Sequence, residues 1–366
     1  MKEVPLKDIC NKDSSSLKQK ELMTEGKYPV YGASGIAGYL NSYHQKEAYI
    51  GIVKDGSGIG RVDFYPEETS LIGTMQYILP KKGYNIRYIG YCLQSLDLSK
   101  YKQGAAIPHI YFRDYGERIV KVTEDEREQK RIVERLDAAF AQIDELKANA
   151  EKQLAEARAL FQKSLAKAME PKEGWEEKSL SEVCDVNRGR SKHRPRNDKR
   201  LFGGPYPFIQ TGDIRNAQGG EIKEYSQTYS EFGLSQSKLW KKGTICITIA
   251  ANIGETAILG FDACFPDSIV GIHPDETVLD TLFLNFFLLS IKKDIDSQSY
   301  GTAQKNINLE VLNNIIMRIP PLSEQQRIVE RLDSISENVR KYEDIQLKII
   351  AECDALKQAL LRQVFE

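Results

Sequence analysis

EQKRIVERLD, residues Glu128–Asp137, returns almost unchanged as EQQRIVERLD, residues Glu324–Asp333. The offset is 196 residues, and the same offset aligns ALFQKSLAKAME (Ala159–Glu170) with ALKQALLRQVFE (Ala355–Glu366). Self-similarity at a fixed spacing marks a repeated structural unit. Working outward, LKDIC (Leu6–Cys10) is echoed by LSEVC (Leu180–Cys184) at the shorter offset of 174. The chain therefore divides into a globular part (1–122), a helical spacer (123–170), a second globular part (171–322) and a second spacer (323–366). The spacers stay alike while the globular parts differ. Divergence of that kind is expected where each globular part recognises something different, although a duplication with ordinary drift also produces it.

The spacers carry a narrow apolar stripe with steps of mostly three and four residues, the mark of a coiled-coil seam. In the first copy it includes Ile132, Leu136, Ile143, Leu146, Leu154, Leu160 and Leu165; in the second, Ile328, Leu332, Ile335, Val339, Ile349, Leu356 and Leu360. Ser323 with Gln326 forms a capping box after Pro320 and Pro321, which starts the second helix there. Thr123 with Glu126 is a similar box without the prolines, so the first helix is free to begin about a turn earlier. Pro171 and Gly174 stop it. A helix of about 43 residues is roughly 65 Å long. Two such helices with matching stripes pair most simply with each other, antiparallel, holding the two globular parts apart as a pseudo-twofold repeat. Recruitment of a second chain by each seam is the competing arrangement.

Composition bounds the function. With 41% apolar and 28% charged residues the chain is of ordinary globular type. It has no run of about 18 apolar residues that would cross a membrane. MKEVPLKDIC lacks the apolar core of a signal peptide, so a cytoplasmic protein is expected. Six cysteines, at 10, 92, 184, 246, 264 and 353, include no CxxC pair and read as reduced thiols. The net charge of −1 hides a local pattern: residues 1–123 carry 17 basic against 13 acidic side chains, whereas both spacers are slightly acidic. RGRSKHRPRNDKR (Arg188–Arg200) holds seven Arg or Lys and one Asp. Such a stretch is either a solvated loop or a loop that tracks phosphates by releasing condensed counterions.

Both globular parts alternate short β-rich runs with turns. AYIGIVKDGSGIGRVDFYP (Ala48–Pro66) and TICITIAANIGETAILGFDACFP (Thr244–Pro266) each read as two strands around a turn. RYIGYCLQSL (Arg87–Leu96) and LFLNFFLLSI (Leu282–Ile291) look like matching buried helices. An α+β fold with a curved sheet fits each part. The strings YPVYGASGIAGYL (Tyr28–Leu40), DGSGIGRVDFYP (Asp55–Pro66), QGAAIPHIYFRDY (Gln103–Tyr115) and IPPLSEQQRIVERLD (Ile319–Asp333), with the tail LKQALLRQVFE (Leu356–Glu366), resemble the specificity subunits of Type I restriction–modification systems. The resemblance covers essentially the whole chain and rests above all on the doubled helix start. It implies two target recognition domains, each reading one half of a bipartite duplex DNA site. It also implies spacers that form an antiparallel coiled coil and dock two methyltransferase subunits, with a restriction or translocase subunit as a further partner. S-adenosylmethionine, ATP and Mg would belong to those partners and none to this chain. The first copy departs from the pattern by lacking the Pro-Pro before its helix.

Candidate DNA contacts follow from side-chain chemistry: base edges need donors and acceptors, and phosphates need charge or bare backbone. In the first domain these are Ser34, Gly35, Lys54, Ser57, Arg61, Gln103, His109 and Tyr111. In the second they are Arg188, Arg190, Lys192, Arg194, Arg196, then Thr211, Asp213, Arg215, Asn252, and the loop residues Thr302, Gln304, Lys305 and Asn306. Gln103, Gln304 and Asn306 suit adenine edges. An enzyme is the first rival reading. GASGIAG (Gly32–Gly38) and GSGIG (Gly56–Gly60) lack the GxGxxG context, however, and no GxxxxGK[ST] or N/D-P-P-Y/F is present. The four histidines have no metal-ligand spacing. A coiled-coil scaffold binding only protein is the second rival, and it has no need of two divergent domains with basic loops.

Overall fold

Each half of the chain begins with a short strand, one helical turn and a second strand. In the first half these are β1 (Lys2–Pro5), α1 (Leu6–Ile9) and β2 (Cys10–Ser14). There follow β3 (Tyr28–Gly32), β4 (Gly35–Leu40), β5 (Tyr49–Val53), β6 (Val62–Tyr65), β7 (Ser70–Leu71), β8 (Met75–Pro80), α2 (Ile86–Ser95), α3 (Phe112–Tyr115) and β9 (Ile119–Val122). The long helix α4 (Glu126–Ala168) leads to the second half. There β10 (Glu176–Ser179), α5 (Leu180–Val183) and β11 (Cys184–Arg188) repeat the opening. Next come β12 (Phe202–Phe208), α6 (Thr211–Ala217), β13 (Glu221–Ile222), β14 (Gln227–Tyr229), α7 (Glu231–Ser235), β15 (Ile245–Thr248), β16 (Thr256–Leu259) and β17 (Ile269–Pro274). The chain closes with α8 (Thr281–Ser290), α9 (Lys292–Ser297), α10 (Leu309–Asn313), β18 (Ile316–Ile319) and α11 (Leu322–Phe365). This computed structural model describes residues 1–56, 58–104, 108–250, 252–297 and 307–366. It divides into two units, Met1–Gln153 with Ile345–Glu366, and Leu154–Asp344.

The first unit is built on the sheet β2-β8-β5-β6, antiparallel throughout, and the second on β11-β17-β15-β16 with β13 added in parallel. The register repeats as well: Cys10 faces Pro80 and Cys184 faces Pro274. In both, the first and last strands of the domain pair antiparallel, β1 with β9 and β10 with β18. The buried β5 sequence YIGIV, β-branched and aromatic, is what a strand covered on both faces requires. The helices α2 and α8 each start at a side-chain cap. Asn85 Oδ1 accepts from the N–H groups of Arg87 and Tyr88, and Asp280 Oδ1 from those of Leu282 and Phe283. Against this shared frame the outer parts differ. The first unit adds the three-stranded sheet β4-β3-β7 over a tyrosine core of Tyr49, Tyr65 and Tyr77. The second adds the hairpin-like pair β12-β14 and two short helices around Phe208, Tyr229 and Leu201. The cysteines are all unpaired thiols, five of them buried, and burial pushes Cys10 up to about 12.

The long helices differ from the sequence expectation at their ends. α4 begins at Glu126, about three residues after the expected start at Thr123. Thr123 Oγ1 accepts from the Asp125 N–H, and it is Asp125 that caps the helix by accepting from Arg127 N–H at 3.0 Å. α11 begins at Leu322, so Ser323 lies inside its first turn and the Ser323–Gln326 box does not form the cap. Instead the Pro321 carbonyl takes the first helical bonds, from Glu324 and Gln325; a proline before a helix start leaves no N–H orphaned.

Within the first unit Asp144 pairs with Lys357 and Lys147 with Asp354 at 2.7 Å. Rising numbers in α4 thus meet falling numbers in α11, an antiparallel arrangement. Within the second unit Arg158 holds Glu343 at 2.8 Å. Ile132, Leu136, Ile143, Leu154, Leu165, Ile328 and Leu332 are buried, and Ile335, Val339, Ile349 and Leu360 are half-buried. Leu146, Leu160 and Leu356, expected in the seam, are instead exposed by 53%, 60% and 49%. There the half-buried positions are one residue further on, at Lys147, Phe161 and Lys357. Near the C-terminus Leu361 and Phe365 turn inward because that end also packs on the first domain, with the rings of Phe365 and Tyr88 5.2 Å apart. On α11 near the boundary, polar Glu343 and Gln346 are buried. This assignment predicts that Leu332→Ala lowers unfolding free energy by about 2–5 kcal/mol while Leu160→Ala changes it by less than about 0.5 kcal/mol, read by urea denaturation. Equal effects would place both leucines in the same environment.

Candidate nucleic-acid interface

The first unit brings its three sequence-selected loops together. Ser34 and Gly35 form the exposed tip between β3 and β4, where Gly35 has φ +111° and a Cβ would meet nothing within 4 Å. The exposed Arg61 reaches this tip from the β5–β6 turn: its guanidinium donates to the Ala33 carbonyl and, at 2.9 Å, to Asp63. On the other side of the same turn, Asp55 pairs with His109. Gln103 and His109 exchange two backbone hydrogen bonds, at 2.9 and 2.8 Å, and the Lys54 carbonyl accepts from Ile110. Tyr111 is exposed, with its ring 4.1 Å from that of His109 and the Arg113 guanidinium 4.5 Å from its centroid. An aromatic face flanked by an imidazole and a guanidinium is suited to stacking on nucleotide bases. Gln103 donates to Asp114 at 2.8 Å, so a two-handed contact with adenine requires that bond to be released. Ser57 lies outside the described residues.

In the second unit Arg188 ends β11 and the basic stretch continues as a loop. Its backbone is anchored: Arg190 N–H donates to Phe265, Lys192 N–H to Gln236, and Ser237 Oγ to the Arg190 carbonyl. Part of its charge is matched internally. Arg196 Nη2 donates to both carboxylate oxygens of Asp267 at 2.8 and 2.9 Å, and Arg194 donates to the carbonyls of Ser191 and His193. Arg200 and His193 both bond Asp198, and the Arg200 hydrogen bonds, foremost, hold that carboxylate well below its usual range. Arg188, Arg190 and Lys192 are exposed and form no ion pair among the described residues.

Thr211, Asp213 and Arg215, expected on a loop, stand on the helix α6. Asp213 closes its capping box by accepting from Gln210 N–H at 2.8 Å, a structural task that competes with base contact. Arg215 and Lys292 each lie 3.6 Å from Glu255. This places Arg215 beside the β15–β16 turn, where Thr248 Oγ1 donates to the Asn252 carbonyl. A cleft of about 890 Å³ opens there, lined by Arg158, Arg215, Glu255, Lys292 and Lys293. Thr302, Gln304, Lys305 and Asn306 lie outside the described residues. Among the described residues no group of three His, Cys, Asp or Glu could hold a metal ion, and no helix is long and apolar enough to cross a membrane.

Sequence reasoning missed Arg113 and the two glutamines Gln129 and Gln325, which are fully buried. Arg113 carried only its spacing, two residues after Tyr111. The glutamines carried a clear signal, their place in the doubled EQ dipeptide.

The profile of one protein family, described as the Type I restriction modification DNA specificity domain, matches residues 1–156 and again 172–349. A protein named as a type I restriction enzyme specificity subunit in Haemophilus influenzae is 27% identical over 347 residues, covering 90% of this chain and 86% of its own. The EcoBI specificity subunit of Escherichia coli is 24% identical over 267 residues, 65% of this chain and 56% of its own. Among solved structures, a chain from work on complex assembly and conformational transition of the type I R-M system has the same fold. Its TM-score is 0.73 at 18% identity, covering 98% of this chain and 96% of that one. The HsdS subunit of Thermoanaerobacter tengcongensis superposes with TM-score 0.50 at 18% identity, over 98% and 95% of the two chains.

The free charges of the basic loop yield a direct expectation. Arg190→Ala weakens binding to duplex DNA of any sequence and reduces the slope of log affinity against log salt by about 1. An unchanged slope in a fluorescence titration removes Arg190 from the interface.

Proposed function

The chain belongs to the Type I restriction modification DNA specificity family, whose members are specificity subunits and not enzymes in themselves, and from that premise we propose that each β-rich domain reads one half of a bipartite DNA site. The observation that carries the reading is the contrast inside the fold. The two halves share sheet order and register down to the Cys10–Pro80 and Cys184–Pro274 pairs, while their outer parts differ in strand number and core chemistry. A common frame holding two different surfaces is what two different short texts require. The converging loops of the first domain and the exposed arginines of the second supply the two kinds of contact such reading needs, flat polar faces for bases and charge for phosphates.

Two copies of a methyltransferase subunit are the proposed partners, with a restriction or translocase subunit joining them. The exposed apolar residues of the helices support a paired partner. Leu146 and Tyr342 are related by the 196-residue repeat, as are Leu160 and Leu356, and all four are exposed by 38% or more. Leu146 and Leu356 belong to one unit, Leu160 and Tyr342 to the other, so each unit presents one exposed leucine from α4 and one exposed apolar side chain from α11. Repeated exposed apolar side chains mark surfaces that another protein covers. In this reading S-adenosylmethionine, ATP and Mg2+ act in the partners, and the chain works in the cytoplasm, where its DNA lies.

Two experiments test the reading. Co-expressed with its methyltransferase subunit in a methylation-free host, the chain directs modification to a split motif, and exchanging residues 171–322 alters one half of that motif only. Modification of an ungapped motif, or loss of both halves together, contradicts two-domain reading. In native mass spectrometry, Leu146→Glu with Leu356→Glu leaves a complex holding one methyltransferase copy in place of two; retention of both copies removes these side chains from the docking surface.

A further inference from the structure

At the root of each long helix a buried glutamine joins three chain segments. Gln129, fully buried in the first turn of α4, accepts from the Asn85 N–H at 2.7 Å through Oε1. Its Nε2 donates to the Gly83 carbonyl at 2.9 Å and to the Thr123 carbonyl at 3.0 Å. Gln325, equally buried in α11, repeats every bond: it accepts from Asp280 N–H at 2.7 Å and donates to Val278 at 2.9 Å and Pro320 at 2.8 Å. Asn85 and Asp280 are the residues that cap α2 and α8. Each glutamine thus bonds the cap of the domain helix, the segment just before that cap, and the residue that directly follows the domain's last strand.

The domain helix in turn carries the reading turn. In the first unit α2 packs on β5, β6 and β8, so closely that a Cβ on Gly90 would stand 2.1 Å from Phe64 of β6. The β5–β6 turn bears Lys54, Asp55 and Arg61. In the second unit α8 packs on β16 and β17, and the β15–β16 turn bears Asn252 and Glu255. Both donors of the amide and its carbonyl are committed with no solvent access, so the geometry is over-determined: rotating the domain helix against the long helix leaves the buried glutamine amide unpaired.

We propose that Gln129 and Gln325 are positioning residues for sequence discrimination, each fixing the attitude of its own domain's reading turn relative to the long helix that holds it. The proposal rests on the two-domain reading above and deepens it. A residue needed only for folding would, when replaced, lower modification everywhere and leave the motif as it was. A positioning residue relaxes one half of the motif and spares the other.

The experiment is a genome-wide map of modified bases for the full chain co-expressed with its methyltransferase subunit, comparing wild type with Gln129→Met and Gln325→Met, alongside thermal melting of each purified complex. Methionine keeps the length and burial and removes the hydrogen bonds. The expected result is about a tenfold rise in modification at sites mismatched in one half, a different half for each variant, while the opposite half stays strict. An unaltered motif at uniformly lower level, tracking the fall in melting temperature, overturns the proposal. If a methionine variant fails to assemble, Gln129→Glu and Gln325→Glu are read by the same criterion, since they keep the acceptor toward the cap and lose the donors. A wild-type complex that modifies no split motif overturns the two-domain reading itself, and is thereby distinguished from a split wild-type motif that the variants leave unchanged.

Discussion

A primary amide removed from water must have its hydrogen bonds supplied by the protein, and the fold meets that demand twice in the same way. Around Gln129 and Gln325 the end of a β-strand, the start of a long helix and the cap of a domain helix are brought to one point. An unpaired buried amide or carbonyl costs about 1–3 kcal/mol, so each junction has one low-energy geometry and few alternatives. The terminal strand pairs, β1 with β9 and β10 with β18, then close each domain next to this junction. Sheet, cap and long helix are consequently fixed together, and variation is left to the parts that hang beyond them.

That division accounts for what was legible in the sequence. The doubled EQ-RIVERLD segment disclosed the plan because its residues answer to packing that is the same in both halves: glutamine for the junction, Ile132 and Leu136 or Ile328 and Leu332 for the core beneath the domain. The helices Arg87–Leu96 and Leu282–Ile291 and the strand pairs around each turn were legible for the same reason. The α+β class followed from them. The helix ends were less so, since Thr123 and Ser323 offered equally plausible cap spacings, while Asp125, two residues past Thr123, and the Pro321 carbonyl perform that task.

The seam was legible in its buried core and misread where heptad logic competes with tertiary packing. Leu146, Leu160 and Leu356 satisfy the spacing yet face solvent, and Phe365 turns inward because Tyr88 of the first domain waits there. In the candidate interface, chemistry selected loops better than individual side chains. Lys54–Arg61 and Gln103–Tyr111 do converge with the Ser34–Gly35 tip, but the partners that neutralise Arg196, occupy Gln103 or employ Asp213 as a cap come from distant positions. Only the fold brings Asp267 to Arg196, 71 residues along the chain.

The inward turn of the last helix also bears on how the molecule is made. Leu361 and Phe365 complete the core of the first domain, and Lys121 bonds the backbone of Glu366, 245 residues further on. A ribosome therefore finishes the second domain's strands before it delivers the side chains that seal the first. Throughout that interval the nascent first domain holds an open apolar seat around Tyr88, Val120 and Val122. Synthesis runs from one end, yet the core laid down first is sealed late, and a chain stopped before Leu361 leaves that apolar seat unfilled.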